Sequence, residues 1–160
     1  MHIVHITGRS RNGKTTLIVE LVREITRRGL RVGTLKHSGH DHELDKPGKD
    51  SYRHRQAGAV PAAITTPGQT AVYLPVSPAE EPLERLAPLF KNCDIILVEG
   101  YIDGPGKKVE VWRAAVGKEP LFKERTEVLA VITDDTVETA LPVLPRSDVS
   151  GLADFLLGLR

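Results

Sequence analysis

The chain has 160 residues, with 22 Lys and Arg against 21 Asp and Glu and a net charge of +1. That balance excludes the global positive field of a dedicated nucleic-acid or anionic-membrane binder, and the single cysteine, Cys93, excludes an intrachain disulfide framework. The length suits one domain over residues 1–160 with a full core; no apolar run approaches the ~20 residues that span a bilayer, no signal-peptide pattern opens the chain, and a soluble cytoplasmic protein is expected.

His2 to Ile6 is a β-branched-rich run that predicts a first strand ending at Thr7 and Gly8. From Lys14 onward Leu17, Ile18, Leu21, Val22 and Ile25 recur at helical spacing, and Gly29 supplies the stop. Arg23, Arg27, Arg28 and Arg31 read as a solvated face paired with Glu20 and Glu24. Leu30 to Leu35 predicts a second strand, completing a right-handed βαβ unit. A polar stretch from Lys36 to Ser51 follows, and Asp50 or Ser51 is placed to cap a short helix through Ala57. Val60 to Thr66 and Thr70 to Leu74, joined through Pro67-Gly68, predict an antiparallel hairpin on an otherwise parallel sheet.

Glu80 to Phe90 carries apolar residues at helical spacing, with Pro82 in the first turn and Pro88 disturbing the last. Asp94 to Gly100 holds four apolar residues in succession, the pattern of a central strand buried on both faces. A glycine-rich loop to Gly106 precedes a strand over Lys108 to Arg113, and Glu127 to Thr133 is a further buried strand. Pro142 to Leu144 is a short last strand, and Ser147 to Leu159 a terminal helix. The alternation predicts an α/β fold, a mainly parallel sheet flanked by helices.

Between the first strand and helix, Gly8-Arg9-Ser10-Arg11-Asn12-Gly13-Lys14-Thr15-Thr16 fits G-x-x-x-x-G-K-[ST]. In this P-loop pattern, successive backbone N–H groups aim at phosphate oxygens in front of a helix N-terminus. Lys14 would reach the terminal phosphates, and the Thr15 hydroxyl would ligate Mg²⁺. Glu99, at the C-terminal end of a neighbouring buried strand, is the candidate second Mg²⁺ group, and Lys14 and Glu99 are the candidate catalytic pair. Asp134 follows a buried strand directly, and its two acceptor oxygens match the N1–H and N2–H₂ donors of guanine.

The stretch His37-Ser38-Gly39-His40-Asp41-His42 leaves three readings open. Its imidazoles can hold zinc or nickel, as in a metal-delivery GTPase using His37, His40 and His42. Lys36, His37, Lys49, Arg53 and Arg55 can instead receive the phosphates of a second substrate. The loop can also be merely solvated. A small-molecule kinase with Asp41 or Asp50 as base is a further alternative. Cys93 and Trp112 are assigned to packing or surface positions.

Several strings together resemble the MobB family of molybdopterin-guanine dinucleotide biosynthesis adaptor proteins. They are Gly8 to Thr16, Leu35-Lys36-His37, Asp45 to Arg53 including Lys49-Asp50-Ser51, Ala57-Gly58-Ala59, Leu97 to Tyr101, and Lys108 to Arg113. The resemblance runs in order over about residues 1–134, with Gly39 standing where it leads one to expect a second His. It implies a P-loop NTPase-like, GTP-binding homodimer with weak GTPase activity and bound Mg²⁺. It also implies a MobA-type guanylyltransferase and molybdopterin as partners, and neither nucleic acid nor membrane. On this reading Asp134 selects guanine, and Lys36, His37, Lys49, Asp50, Ser51 and Arg53 face the second substrate or the partner.

Overall fold

The computed structural model describes residues 1–77 and 80–159. These group into two compact units, one of residues 1–38 and 89–160 and one of residues 39–88.

In the first unit, six strands run parallel: β1 (Ile3–Thr7), β2 (Val32–Lys36), β5 (Ile95–Glu99), β6 (Lys107–Val111), β7 (Val128–Ile132) and β8 (Val143–Leu144). Their order in the sheet is β2-β5-β1-β6-β7-β8. Because all six are parallel, their C-terminal ends share one edge, where ligands bind in open α/β sheets. Alternation sorts their side chains. Val4, Ile6, Ile95, Leu97, Val109, Val111, Ala130 and Ile132 share one core cluster with Leu17, Leu21 and Ile25 of α1 (Lys14–Arg27) and Leu152 and Leu156 of α4 (Val149–Gly158). Each of these large side chains stabilises the fold by about 1.5–3 kcal/mol through burial.

The opposite face of the central strands carries buried polar groups, which loops satisfy. The His5 ring nitrogens lie 3.3 Å from Gly100 O and 2.7 Å from Pro105 O. Glu110 accepts from the N–H groups of Leu121 and Phe122, at 2.6 and 2.9 Å, the start of a short 3-10 turn (Leu121–Lys123). Helix α1 ends as the sequence predicts. Gly29 sits at φ 80°, and the Gly29 and Leu30 amides donate back to Thr26 O and Ile25 O in a Schellman motif. Arg27 and Arg28 pair with Glu24, whereas Glu20 pairs with Arg146.

The second unit holds α2 (Asp50–Gln56), the hairpin β3 (Ala62–Thr65) and β4 (Thr70–Tyr73), and most of α3 (Pro82–Phe90). Three expectations are corrected. The hairpin forms its own two-stranded sheet and, among the described residues, joins no other strand. Neither Asp50 nor Ser51 caps α2: Lys49 is the N-cap, Asp50 begins the helix, and the Ser51 hydroxyl donates to Asp45. Helix α3 continues through Pro88 to Phe90. Among the described residues, no helix is long and apolar enough to cross a membrane.

Candidate nucleotide site

The phosphate loop begins where β1 leaves the sheet at its C-terminal edge. Gly8 is at φ 133°, and a Cβ there would lie 2.3 Å from the carbonyl oxygen of Val111, so only glycine lets the loop cross β6. Arg11 at φ 69° and Gly13 at φ 86° add two left-handed positions within four residues. Left-handed residues among right-handed ones turn successive amides into an anion-binding concavity. Lys14 Nζ donates to the carbonyls of Gly8 and Arg9, at 2.7 and 2.9 Å, laying its ammonium across the mouth of the loop. Burial pushes the Lys14 ammonium below its usual pKa; Glu99 opposes that shift and Lys36 adds to it.

Glu99 lies at the end of β5, the neighbour of β1, and Thr15 sits in the first turn of α1. The Thr15 hydroxyl donates to Glu99 Oε1 at 2.8 Å, and Lys36 Nζ at the end of β2 lies 3.5 Å from the same oxygen. Sequence positions 14, 15, 36 and 99 therefore converge on one point of the sheet edge. The donor set fits a hard cation: both groups are oxygens, and their 2.8 Å separation matches the roughly 2.9 Å edge of an octahedron with ~2.05 Å metal–oxygen bonds.

Asp134 lies on the other side of the phosphate loop, just beyond β7. Its Oδ1 accepts from both the N–H and the hydroxyl of Ser147, each at 3.0 Å. The Ser147 amide above all, joined by the Ser147 hydroxyl and the Arg146 amide, holds its carboxyl below the usual aspartate range, against burial, which raises it. Trp112, Arg113, Ala115, Asp135 and Arg146 complete a cleft of about 170 Å³ around it. Trp112, assigned by sequence to a packing or surface position, lines this cleft and donates its indole N–H to Lys118 O.

Arg9 turns its side chain away from the phosphate loop. It donates to Glu119 O at 2.9 Å and to Glu124 Oε1 at 2.6 Å. Lys49, Asp50, Ser51 and Arg53 all lie in the second unit, where the buried Asp45 receives the Lys46 amide and the Ser51 hydroxyl. Arg55 pairs there with Glu43 and stands 5.0 Å over the Tyr73 ring. The His37 ring stacks on Tyr101 and that of His40 lies edge-on to His42. Among the described residues, no three metal-ligating side chains come together.

Sequence reading missed Ser147, Glu110 and the Tyr101 stack. The signal for Ser147 was available: it follows a strand at the same edge as Asp134 does. For the other two, the partners lie 11 and 64 positions away, and no local pattern reports them.

Residues 3–134 match the family described as Molybdopterin guanine dinucleotide synthesis protein B, MobB. The molybdopterin-guanine dinucleotide biosynthesis adapter protein of Escherichia coli is 37% identical over 92% of this chain and 87% of its own length. That of Haemophilus influenzae is 35% identical over 96% and 86%. The crystal structure of Bacillus subtilis MobB superposes with a TM-score of 0.76 at 26% identity, covering 99% of this chain and 98% of its own. A parallel sheet with the G-x-x-x-x-G-K-[ST] loop after β1, and sequence likeness along nearly its whole length, place this chain in the MobB family.

Proposed function

We propose that this chain binds Mg²⁺–GTP at the C-terminal edge of its parallel sheet and acts in the cytoplasm as an adapter in the formation of molybdopterin-guanine dinucleotide. On this reading it works beside a MobA-type guanylyltransferase that joins GMP to molybdopterin. The observation that carries the reading is the convergence of Lys14, Thr15 and Glu99 at the mouth of the phosphate loop. The adapter role is supported by the names of the relatives.

The backbone amides of Arg9 to Thr15 cradle phosphate, together with Gly8 and Thr16 at the ends of the motif. Lys14 exchanges its two carbonyl partners for phosphate oxygens and neutralises their charge. Thr15 and Glu99 hold Mg²⁺, which when bound screens the terminal phosphates. Asp134, fixed and ionised by Ser147, accepts from N1–H and N2–H₂ of guanine; adenine offers no such donor pair. Hydrolysis is slow on this reading, because the Arg9 guanidinium is engaged by Glu119 and Glu124. Lys36 and His37 stand next to the terminal phosphate and face the second substrate, while Lys49, Asp50, Ser51 and Arg53 meet the second substrate or the partner protein.

Homodimer formation belongs to the same proposal. The hairpin is a two-stranded sheet that, among the described residues, pairs with no other strand, and it exposes Ile64 and Val72, with Val60, Leu74 and Val76 beside it. A two-stranded hairpin with such an exposed apolar face gains from a second copy.

The test is a Mg²⁺-dependent titration of GTP, ATP and XTP against wild type and Asp134→Asn. The variant replaces one acceptor oxygen with a donor, so it should lose GTP and gain XTP, which carries a carbonyl at C2. A wild type that prefers ATP, with an indifferent variant, removes guanine recognition and favours a kinase.

A further inference from the structure

The strand order divides the ligand edge. The base cleft at Asp134 lies on the β6–β8 side of the phosphate loop, and β5 and β2 lie on the other. From β5 to β7 is three strand spacings, roughly 14 Å. A nucleotide anchored by its base at Asp134 therefore directs its terminal phosphate toward Glu99, at the end of β5.

Just past that point the chain is built unusually. Gly100 and Tyr101 are both left-handed, at φ 78° and 55°. For a tyrosine that conformation is uncommon and strained. The result is a flat stack: Tyr101 and His37 lie with ring centroids 4.3 Å apart and planes 15° apart. The tyrosine is held from within the protein. Its ring is 5.9 Å from the buried His5 ring, and a Cβ at position 104 would come within 2.5 Å of it, so Gly104 makes its room. His37, by contrast, is exposed, and is anchored through its backbone N–H to Glu99 O at 3.1 Å. Beside the stack, Lys36 presents a side chain that is 67% exposed.

We propose that Tyr101 and His37 form the platform for the pterin ring of the second substrate, with Lys36 receiving that substrate's phosphate. This rests on the reading above of a GTP-binding adapter beside a guanylyltransferase. Such a reaction joins two flat heterocycles through phosphates, and the Asp134 cleft already accounts for the guanine. A stacking platform beside the exposed Lys36 ammonium, which Glu99 holds at 3.5 Å on the terminal-phosphate side of the P-loop, supplies what the other heterocycle needs. Tyr101 gives a rigid face, and the exposed His37 turns aside or covers the ring from outside.

The experiment is a fluorescence-quenching titration of 6-hydroxymethylpterin and its monophosphate against the full chain loaded with Mg²⁺–GTP, GTP binding being measured in parallel. Wild type should bind the phosphorylated pterin more tightly than the alcohol. Tyr101→Ala should weaken both by about tenfold or more, the scale of lost ring stacking. Tyr101→Phe should retain the affinity, and Lys36→Met should abolish the preference for the phosphorylated pterin. Circular dichroism of each variant controls for folding. Equal binding by wild type and Tyr101→Ala overturns the platform. So does the absence of pterin binding by a wild type that binds GTP, and either result leaves the nucleotide reading standing. A wild type that binds no guanine nucleotide removes both.

Discussion

Thr15 and Glu99 lie 84 positions apart, and a 2.8 Å hydrogen bond joins the Thr15 hydroxyl to Glu99 Oε1. The contact exists because β1 and β5 are parallel neighbours in register, Ile6 beside Glu99, so the first turn of α1 is set against the end of β5. Under the Mg²⁺ proposal, the same two oxygens exchange this hydrogen bond for shared ligation of the cation. Thr15→Ala and Glu99→Gln should each weaken Mg²⁺-dependent GTP binding by roughly 10–100-fold, the usual scale for lost support of a metal site. Isothermal titration with and without Mg²⁺ measures this. A Glu99→Gln protein whose Mg²⁺ dependence equals that of wild type would show that Glu99 only closes the strand.

Gly8 has a different task, and its substitution should read out differently. A Cβ at position 8 would meet the Val111 carbonyl at 2.3 Å, and the φ of 133° is strained for any side chain. Backbone has nowhere to yield here, since Val111 sits in a strand paired on both sides. Gly8→Ala should lower stability by about 1–3 kcal/mol and cost nucleotide binding as well. By contrast Gly39→Ala, which meets nothing within 4 Å, should change neither. Thermal melts with and without GTP distinguish the two cases.

These two residues also mark what could be read in advance. Gly8, Lys14, Thr15 and Glu99 were legible because each belongs to a local pattern: a spaced motif, or an acidic residue ending an apolar run. The sheet was legible for the same reason, since buried parallel strands are continuous apolar runs separated by helical periods. Other features depend on partners that sequence does not place. Ser51 does not cap α2 because the helix already begins at Asp50, and its hydroxyl donates to Asp45 instead. The hairpin's separation from the main sheet depends on edge pairing, to which strand propensity is blind. Glu110 reads as one member of an alternating strand until Leu121 and Phe122 fold back onto it.

Ser147 supplies a third expected outcome. Its amide and hydroxyl both donate to Asp134 Oδ1, and together with Arg146 they keep that carboxyl ionised below its usual range. Ser147→Ala removes the hydroxyl and leaves the amide. The carboxylate should then swing more freely, and preference for GTP over ATP should fall roughly threefold to tenfold, the worth of one net hydrogen bond. Ser147→Thr should restore it. Thermal stability should barely move in either variant, because the pair is exposed. A selectivity unchanged in Ser147→Ala would leave Asp134 positioned by backbone alone.

The acid limb of stability should trace to α1. Side-chain hydrogen bonds from Arg27, then Arg28, draw the Glu24 carboxyl from its ordinary 4.5 down to about 2. Arg28 in turn reaches Asp154 and Ser150 of α4, so Glu24 steadies the arginine that ties the two helices together. An acid whose folded pKa is depressed contributes stability above its unfolded pKa and loses it as pH falls through the folded one. That contribution should therefore be complete at neutral pH and fade between 4.5 and about 2. Glu24→Gln has no charge to lose. Its melting temperature should lie below that of wild type at neutral pH, and the gap should close across that acid window. Parallel melting curves that keep the same gap down to the lowest pH would assign the acid sensitivity to carboxylates other than Glu24.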